Sequence, residues 1–296
     1  MTIIPYDDRD GKIWLDGKLV DWRDAKIHVL THALHYGSSV FEGERLYDGV
    51  IFRGRDHSER LIKSAQMLDM NMPYSADYID DMKAQVIKAN GLKNAYVRAF
   101  AWRGAEQLGV SAQLTKTHIA CAAWEWGAYY SEEKRENGIA LKTSPWKKPA
   151  PDTAPSQSKA AGLYMIGTMS KHMAENHGCD DALMLDYRGL VAEASSANLF
   201  TIRDGKIFTP IPDCFLNGLT RQTTIQIAKD LGIPLEETRI QYDDLKTFDE
   251  IFLTGSAAEL TAVGRIDDIT YKVGPITRKL RDTYSDLVRG KIKKAA

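Results

Sequence analysis

The stretch Ser156-Gln157-Ser158-Lys159-Ala160-Ala161-Gly162-Leu163-Tyr164 places one lysine among small and polar residues. The proline-rich segment 145–155 precedes it and is expected to form a loop. The small residues after Lys159 leave room for a flat molecule to approach its side chain. A lysine becomes a nucleophile when burial or nearby positive charge lowers its pKa. A surface position is the commoner interpretation of any one lysine, so other motifs must decide.

Three further stretches complete a chemical pattern. Glu193 stands in the otherwise uncharged run 190–194, and a glutamate is rarely buried unless it is paired. Gly218-Leu219-Thr220-Arg221 opens a predicted helix, whose first N–H groups suit a phosphate. Gly255-Ser256-Ala257-Ala258 follows a predicted strand and offers similar backbone donors. An amine, a buried anion and two phosphate-binding turns match the needs of pyridoxal 5′-phosphate. Taken alone, each signal is weak, and Glu193 could equally face solvent on an edge strand.

Length and composition limit the class of protein. A chain of 296 residues is long for one core and suits two lobes. A net charge of −1 gives no general reason to expect nucleic acid or an anionic membrane as a partner. No apolar run reaches the about 18 residues that a membrane span needs. The first residues lack the basic and apolar regions of a signal peptide, and three isolated cysteines suit reduced thiols. We therefore expect a cytoplasmic protein.

The first lobe is predicted to cover residues 1–130. Asp16-Gly17 and Asp48-Gly49 stand between apolar runs and indicate two tight hairpins. Two helices and two strands should follow, at 56–70, 77–90, 96–102 and 118–126.

A polar linker is predicted at 131–137, before a second lobe at 138–296. The second lobe should contain strands at 139–143, 181–186, 190–202, 206–209 and 250–254, and helices at 161–177, 220–231 and 275–289. Hairpins and helices are mixed rather than strictly alternating, which predicts the α+β class.

Other motifs in the chain are weaker. Ser156-x-x-Lys159 matches the serine motif of penicillin-recognising acyl enzymes, but Lys142-Thr143-Ser144 lies upstream and lacks the required glycine. His28, His32 and His35 have helical spacing without an acidic ligand nearby, so ordinary hydrogen-bonded histidines and no metal site are expected. Neither G-x-G-x-x-G nor G-x-x-x-x-G-K-[ST] occurs, which disfavours dinucleotide and nucleotide phosphate loops.

Taken together, the motifs resemble the fold-type IV, class IV pyridoxal-phosphate aminotransferases, and among them the bacterial branched-chain enzymes, over about residues 12 to 289. The resemblance implies a small N-terminal α/β lobe and a larger C-terminal lobe with a β-barrel-like core. The segments that carry it are His32–Gly37, Ser39–Gly43, His57–Leu61, Tyr96–Arg98, Trp126–Tyr129, Lys159–Tyr164, Glu193, Asn198–Phe200, Gly218–Arg221 and Gly255–Glu259.

The resemblance also implies which residues hold the cofactor. Lys159 would bind pyridoxal 5′-phosphate covalently and then move the proton of the substrate α-carbon. Glu193 would pair with the ring nitrogen, and Tyr164 would contact the ring hydroxyl oxygen. The remaining cofactor residues would be Arg60, Thr220, Ser256 and the Leu219 backbone at the phosphate, with Leu216 and Asn198 near the ring.

For the substrate, Tyr96 and the backbone at Ser256-Ala257 would hold the α-carboxylate, and Arg98 the distal carboxylate of glutamate. The side-chain pocket would comprise Phe41, Gly43, Trp126 and Tyr129, with Tyr36 and Val110 from a partner subunit. The implied reaction is ping-pong transamination, through pyridoxamine phosphate, between a branched-chain L-amino acid and 2-oxoglutarate. The partners would be small amino acids and 2-oxo acids, and the assembly at least a homodimer.

Three alternatives remain open at this point. A D-amino-acid or amine transaminase and an aminodeoxychorismate lyase share the fold, but Tyr96-x-Arg98 and Trp126–Tyr129 favour the branched-chain reaction. A vitamin-binding or regulatory protein with a dead site would not need Lys159 and Tyr164. Trp102-Arg103-Gly104, expected in the loop toward Val110, is bulkier than usual for the family.

Overall fold

The computed structural model describes residues 4–127 and 129–292. Residues 1–3, Ala128 of the Trp126–Tyr129 motif and residues 293–296 lie outside that range. The chain divides into two compact units. Unit 1 comprises the residues up to Gly127 together with Ser158–Gly162, and unit 2 comprises the rest. The proposed lobe limits at 130 and 138 stay a prediction.

Unit 1 combines strands with two long helices. In chain order its elements are β1 (Lys12–Leu15), β2 (Lys18–Asp21), α1 (His32–Tyr36), β3 (Ser39–Phe41), β4 (Glu44–Tyr47), β5 (Val50–Ile51), α2 (Gly54–Met67), α3 (Ala76–Ala89), β6 (Ala95–Arg103) and β7 (Thr117–Glu125). Both predicted hairpins are confirmed. Asp16, Gly17, Asp48 and Gly49 all have positive φ, as the tight turn between two twisted strands requires.

The strands of unit 1 form one antiparallel sheet in the order β2-β1-β7-β6-β4-β5, with β3 also paired to β6. β3 and β4 keep one register along β6, since Phe41 lies opposite Phe100 and Glu44 opposite Val97. Successive side chains on a strand alternate between faces. One face therefore packs on α2 and α3, and the opposite face carries Phe41, Gly43, Tyr96 and Arg98. The helix-covered core includes Val40, Leu46, Leu61, Ile79, Val86, Val97, Ala99 and Ile119.

Unit 2 contains the remaining elements. They are α4 (Glu132–Asn137), β8 (Ile139–Thr143), α5 (Tyr164–Asn176), β9 (Asp181–Leu185), β10 (Val191–Ala194), β11 (Asn198–Arg203), β12 (Lys206–Pro210), α6 (Leu219–Asp230), β13 (Leu235–Thr238), β14 (Glu250–Gly255), β15 (Glu259–Ile266), β16 (Ile269–Thr270) and α7 (Pro275–Val288). The stretch 131–137, predicted as a linker, is thus mostly the helix α4, which Ser131 caps by accepting from the Lys134 N–H.

A closed barrel forms the centre of unit 2. Six of its described strands follow one another in the order β10-β9-β8-β15-β14-β11, and β11 pairs back to β10 at Glu193 and Asn198. β12 and β13 extend the sheet from β11, and β16 pairs with β15. The barrel-like core and the α+β class are confirmed. Its apolar interior includes Ile139, Leu141, Leu183, Val191, Leu199, Ile251, Leu253 and Val263.

Two predictions about local structure were wrong. The apolar run 190–202, predicted as one strand, is the two strands β10 and β11 with the turn Ser195-Ser196-Ala197 between them. No glycine or proline marks that turn in the sequence. The chain bends there because β10 and β11 close the barrel. The loop expected to begin at Trp102 begins only after Arg103, which ends β6, and Trp102 lies in the strand that was predicted over 96–102. Trp102 stacks on Phe100 and His118. Among the described helices, none has the length and apolarity needed to cross a membrane.

Candidate active site

Backbone contacts fix Lys159 in unit 1. The Phe41 N–H donates to the Lys159 carbonyl at 3.2 Å, and the Lys159 N–H donates to Ser64 Oγ at 2.9 Å. The Ser158 hydroxyl donates to the Ser64 carbonyl at 2.9 Å. Sequence reasoning missed Ser64, which lies within the regular pattern of α2 and carries no local signal. The lysine is therefore held between β3 and α2.

The environment of Lys159 lowers the pKa of its amine and so increases the uncharged fraction. Loss of hydration lowers the pKa of the amine most, Arg60 lowers it further, and Glu42 offsets only part, which gives a pKa of about 8. At pH 7 about one amine in ten is then uncharged, against about one in three thousand at an ordinary lysine pKa. The amine lies 4.9 Å from the centre of the Phe41 ring. Lys159 is therefore suited to attack an aldehyde near neutral pH.

Arg60 is held by a buried carboxylate. Its Nε and Nη2 donate to the two oxygens of Glu42, each at 2.7 Å, and His57 Nδ1 lies 2.7 Å from Glu42 Oε2. This bidentate contact fixes the plane of the guanidinium. Burial acts to raise the pKa of Glu42, but Arg60 and His57 outweigh it and hold that pKa well below its usual range. Glu42 thus orients Arg60, the residue predicted to bind the phosphate. The sequence did not indicate this role for Glu42.

The face of the unit 1 sheet opposite the helices brings together five predicted substrate residues. Arg98 Nη2 donates to the Tyr96 hydroxyl at 2.9 Å and lies over the Phe41 ring at 4.6 Å. The rings of Tyr96 and Trp126 are 5.1 Å apart. A Cβ on Gly43 would collide with the Tyr96 hydroxyl, so Tyr96 occupies its present position because residue 43 has no side chain. The face combines apolar rings with the Arg98 guanidinium, which suits a substrate with an apolar side chain and a carboxylate.

Tyr36 and Val110 lie on the surface of unit 1. Tyr36 is 47% exposed and stacks on His32, whereas Val110 is 86% exposed. His32 Nε2 lies 2.8 Å from the Gly109 carbonyl, which links the two segments, and its Nδ1 lies 2.6 Å from Ser38 Oγ. Both ring nitrogens of this histidine are therefore used in hydrogen bonds. The assignment of Tyr36 and Val110 to a partner's pocket stays a prediction.

Glu193 is buried inside unit 2, so the solvent-facing alternative does not apply. Its Oε1 lies 2.7 Å from Lys148 Nζ, and its Oε2 accepts a hydrogen bond from Asn198 Nδ2 at 2.9 Å. Asn198 Nδ2 also donates to the Leu216 carbonyl at 3.0 Å, and Asn198 Oδ1 accepts from the Gly218 N–H at 3.1 Å. Asn198 thus links Glu193, which is predicted to bind the ring nitrogen, to the start of α6. Sequence reasoning missed Lys148.

The other predicted cofactor residues of unit 2 lie at element boundaries. α6 begins at Leu219 after Gly218, which has no capping side chain, and Thr220 is buried in its first turn. Ser256 and Ala257 belong to the loop of the β14–β15 hairpin. Tyr164 is the first residue of α5. A helix N-terminus and a loop of small residues offer backbone donors to a phosphate.

Tyr129 also belongs to unit 2. It is 42% exposed, and its ring packs edge-on against Tyr130. Its place in a substrate pocket stays a prediction.

The family follows from comparison with known proteins. The chain belongs to the class IV aminotransferases, because the model of the family Amino-transferase class IV matches residues 39–266. The branched-chain-amino-acid aminotransferase of Pseudomonas aeruginosa is 43% identical over 96% of this chain and 95% of its own length. The family resemblance is confirmed.

Solved structures are similar over the whole fold. The T.th. branched-chain amino acid aminotransferase with pyridoxamine 5′-phosphate has a TM-score of 0.93 and 40% identity, with 96% of each chain covered. The same enzyme complexed with N-(5′-phosphopyridoxyl)-L-glutamate has a TM-score of 0.91 and 38% identity, again with 96% of each chain covered.

Changing Glu42 to Gln should lower the free energy of unfolding, because Arg60 loses its charged partner. Removing one partner of a buried ion pair costs about 3–5 kcal/mol, and we expect urea denaturation of the cofactor-free protein at pH 7 to show that loss. Because the pKa of Glu42 is lowered in the folded protein, its contribution is complete above about pH 4.5 and is lost as the pH falls. The difference from wild type should therefore shrink below that pH. Glu59→Gln, at an exposed position of α2, should change the free energy of unfolding by less than about 0.5 kcal/mol. Equal stabilities of wild type and Glu42→Gln at pH 7 would contradict the pairing.

Changing Gly43 to Ala should displace Tyr96. The added Cβ collides with the Tyr96 hydroxyl, and overpacking of this kind costs about 1–3 kcal/mol. We expect a lower free energy of unfolding and a lower rate of transamination, because Arg98 loses its contact with Tyr96. Gly127→Ala is the control for stability, since its Cβ would meet no atom within 4 Å. A Gly43→Ala protein with wild-type stability and rate would show that the hydroxyl position is unimportant.

Proposed function

We propose that this protein transfers the amino group between branched-chain L-amino acids (leucine, isoleucine and valine) and 2-oxoglutarate, with pyridoxal 5′-phosphate as cofactor. The observation that carries the proposal is Lys159, whose pKa of about 8 arises beside the oriented guanidinium of Arg60. An amine that is partly uncharged at neutral pH, close to a fixed phosphate-binding group, is what covalent attachment of this cofactor requires.

The residues of each unit fit the cofactor. When bound, it supplies an aldehyde and an electron-accepting ring. In unit 1, Lys159 would attach the aldehyde and move the α-proton, and Arg60 would bind the phosphate. In unit 2, Glu193 would pair with the ring nitrogen, supported by its burial and its contact with Asn198. The similar T.th. enzyme with pyridoxamine 5′-phosphate supports the same cofactor.

The substrate side of the proposal rests on the aromatic face of unit 1. Phe41, Tyr96 and Trp126 offer apolar surface to a branched side chain, and Arg98 offers a charge to the distal carboxylate of glutamate. One face can therefore serve both the amino donor and the 2-oxo acid. The Pseudomonas aeruginosa relative and the phosphopyridoxyl-glutamate complex support these two substrates.

A homodimer, or a higher homo-oligomer, in the cytoplasm completes the proposal. Val29, Leu34, Val110 and Leu114 of unit 1 are each more than 60% exposed. They lie on two segments that the His32–Gly109 hydrogen bond joins, and exposed apolar residues grouped on one surface favour contact with a second copy. The three cysteines are buried and free, as a reducing compartment allows.

Borohydride reduction after addition of pyridoxal phosphate should label the peptide that contains Lys159. In cofactor-free protein the rate of attachment should rise with pH through about 8 and then level off, because the uncharged amine is the reacting form. Mass spectrometry locates the label. Lys159→Ala should abolish labelling, whereas Lys171→Ala, at a lysine of α5 near Asp181, should keep it. A label on another peptide, or none in saturated protein, would exclude the proposed chemistry.

A panel of amino donors with 2-oxoglutarate tests the substrate class. Glutamate should appear with leucine, isoleucine and valine, and Arg98→Met should lower kcat/KM for 2-oxoglutarate about tenfold to a hundredfold more than for leucine, since a charged hydrogen bond is worth about 1.5–3 kcal/mol. The leucine half-reaction is the internal control. Activity only with D-alanine or a chiral amine, or release of pyruvate from aminodeoxychorismate, would favour another reaction.

A further inference from the structure

Lys148 is built into the structure around Glu193. Its ammonium lies 2.7 Å from Glu193 Oε1, and the two side chains are only 14% and 9% exposed. Its backbone N–H donates to the Leu185 carbonyl of β9 at 2.8 Å, and its backbone pairs with Asp186. The lysine is therefore held on both its main chain and its side chain, unlike a surface lysine that meets a carboxylate by chance.

Glu193 needs a cation because its carboxylate is buried. A buried charge is costly unless it is paired. Asn198 is a neutral donor, and its amide is shared with the Leu216 carbonyl. In the part of the chain that the structure describes, Lys148 is the one cationic side chain within ion-pair distance of Glu193. Lys148 holds one carboxylate oxygen and Asn198 the other, so the orientation of the carboxylate is determined from both sides.

We propose that Lys148 is a positioning residue that holds the Glu193 carboxylate in one orientation before the cofactor binds. The inference rests on the proposed function, in which Glu193 receives the protonated ring nitrogen of pyridoxal phosphate. Lys148 contributes nothing to phosphate binding in this scheme. Its effect must therefore depend on the ring nitrogen itself, and a merely structural lysine would not show that dependence.

The test compares two ligands on the full-length, cofactor-free protein. One is pyridoxal phosphate, and the other is its 1-deaza analogue, in which a carbon replaces the ring nitrogen. We expect Lys148→Met to weaken binding of pyridoxal phosphate at least tenfold and binding of the analogue less than twofold, as measured by absorbance titration. Lys148→Arg, which keeps the charge, should restore pyridoxal phosphate binding to within threefold of wild type. Lys147→Met is the matched control, because the neighbouring lysine is exposed, and it should change neither affinity.

Three results would overturn the inference. Lys148→Met could leave the affinity for pyridoxal phosphate unchanged or raise it, it could weaken both ligands equally, or Lys148→Arg could fail to rescue. Lys148→Gln replaces Lys148→Met if the latter does not fold, which circular dichroism and thermal unfolding will show. Failure of the wild-type protein to bind pyridoxal phosphate at all would instead remove the proposed function, and this inference with it.

Discussion

The structure of this aminotransferase depends on the anchoring of one short segment, Ser158–Gly162, to unit 1. Residues on both sides of the segment belong to unit 2. Ser158 and Lys159 donate hydrogen bonds to Ser64, the β3 backbone donates to the Lys159 carbonyl, and a β-bridge joins Val40 to Ala160. Because the N–H and the carbonyl of Lys159 are both hydrogen-bonded, the backbone of this lysine is fixed and its side chain begins at a defined position. At that position loss of hydration lowers the pKa of the amine most, and the nearby Arg60 lowers it further.

A single strand register separates two kinds of chemistry in unit 1. β3 and β4 share one register along β6, so alternation sends Glu42 and Glu44 to the helix-covered face and Phe41 and Gly43 to the other. A slip of one residue would exchange the faces. It would place carboxylates among the aromatic rings and leave the guanidinium of Arg60 without its partner. The register therefore maintains both the Glu42 contact that orients Arg60 and the apolar face of the sheet.

Local signals predicted much of the fold. Asp16-Gly17 and Asp48-Gly49 located two hairpins because a tight turn needs residues that tolerate positive φ. Family motifs located Lys159 and Glu193 as candidates. The sequence could not distinguish Lys147 from Lys148, since two adjacent lysines look alike until packing buries one.

Contacts between distant residues were the part that the sequence could not predict. The split of 190–202 into β10 and β11 depends on closure of a barrel through β14 and β9, which lie far along the chain. The roles of Ser64 and Glu42 depend in the same way on tertiary pairing. Propensity and periodicity describe neighbours in sequence, so such positions appear only when the sheets are assembled.

Each unit contains a buried ion pair that holds a predicted cofactor residue, and the signs of the charges are reversed between the two units. In unit 1 an anion, Glu42, orients a cation, and in unit 2 a cation, Lys148, lies against an anion, Glu193. Buried pairs contribute little net stability, because desolvation offsets most of their attraction, and apolar residues of similar volume often serve as well. Losing one partner is costly, whereas having the pair at all is not especially stabilising. Each pair includes a residue predicted to bind a charged group of the cofactor. We infer that the pairs act by holding these residues in position before the cofactor binds. Binding then requires less reorganisation of the protein.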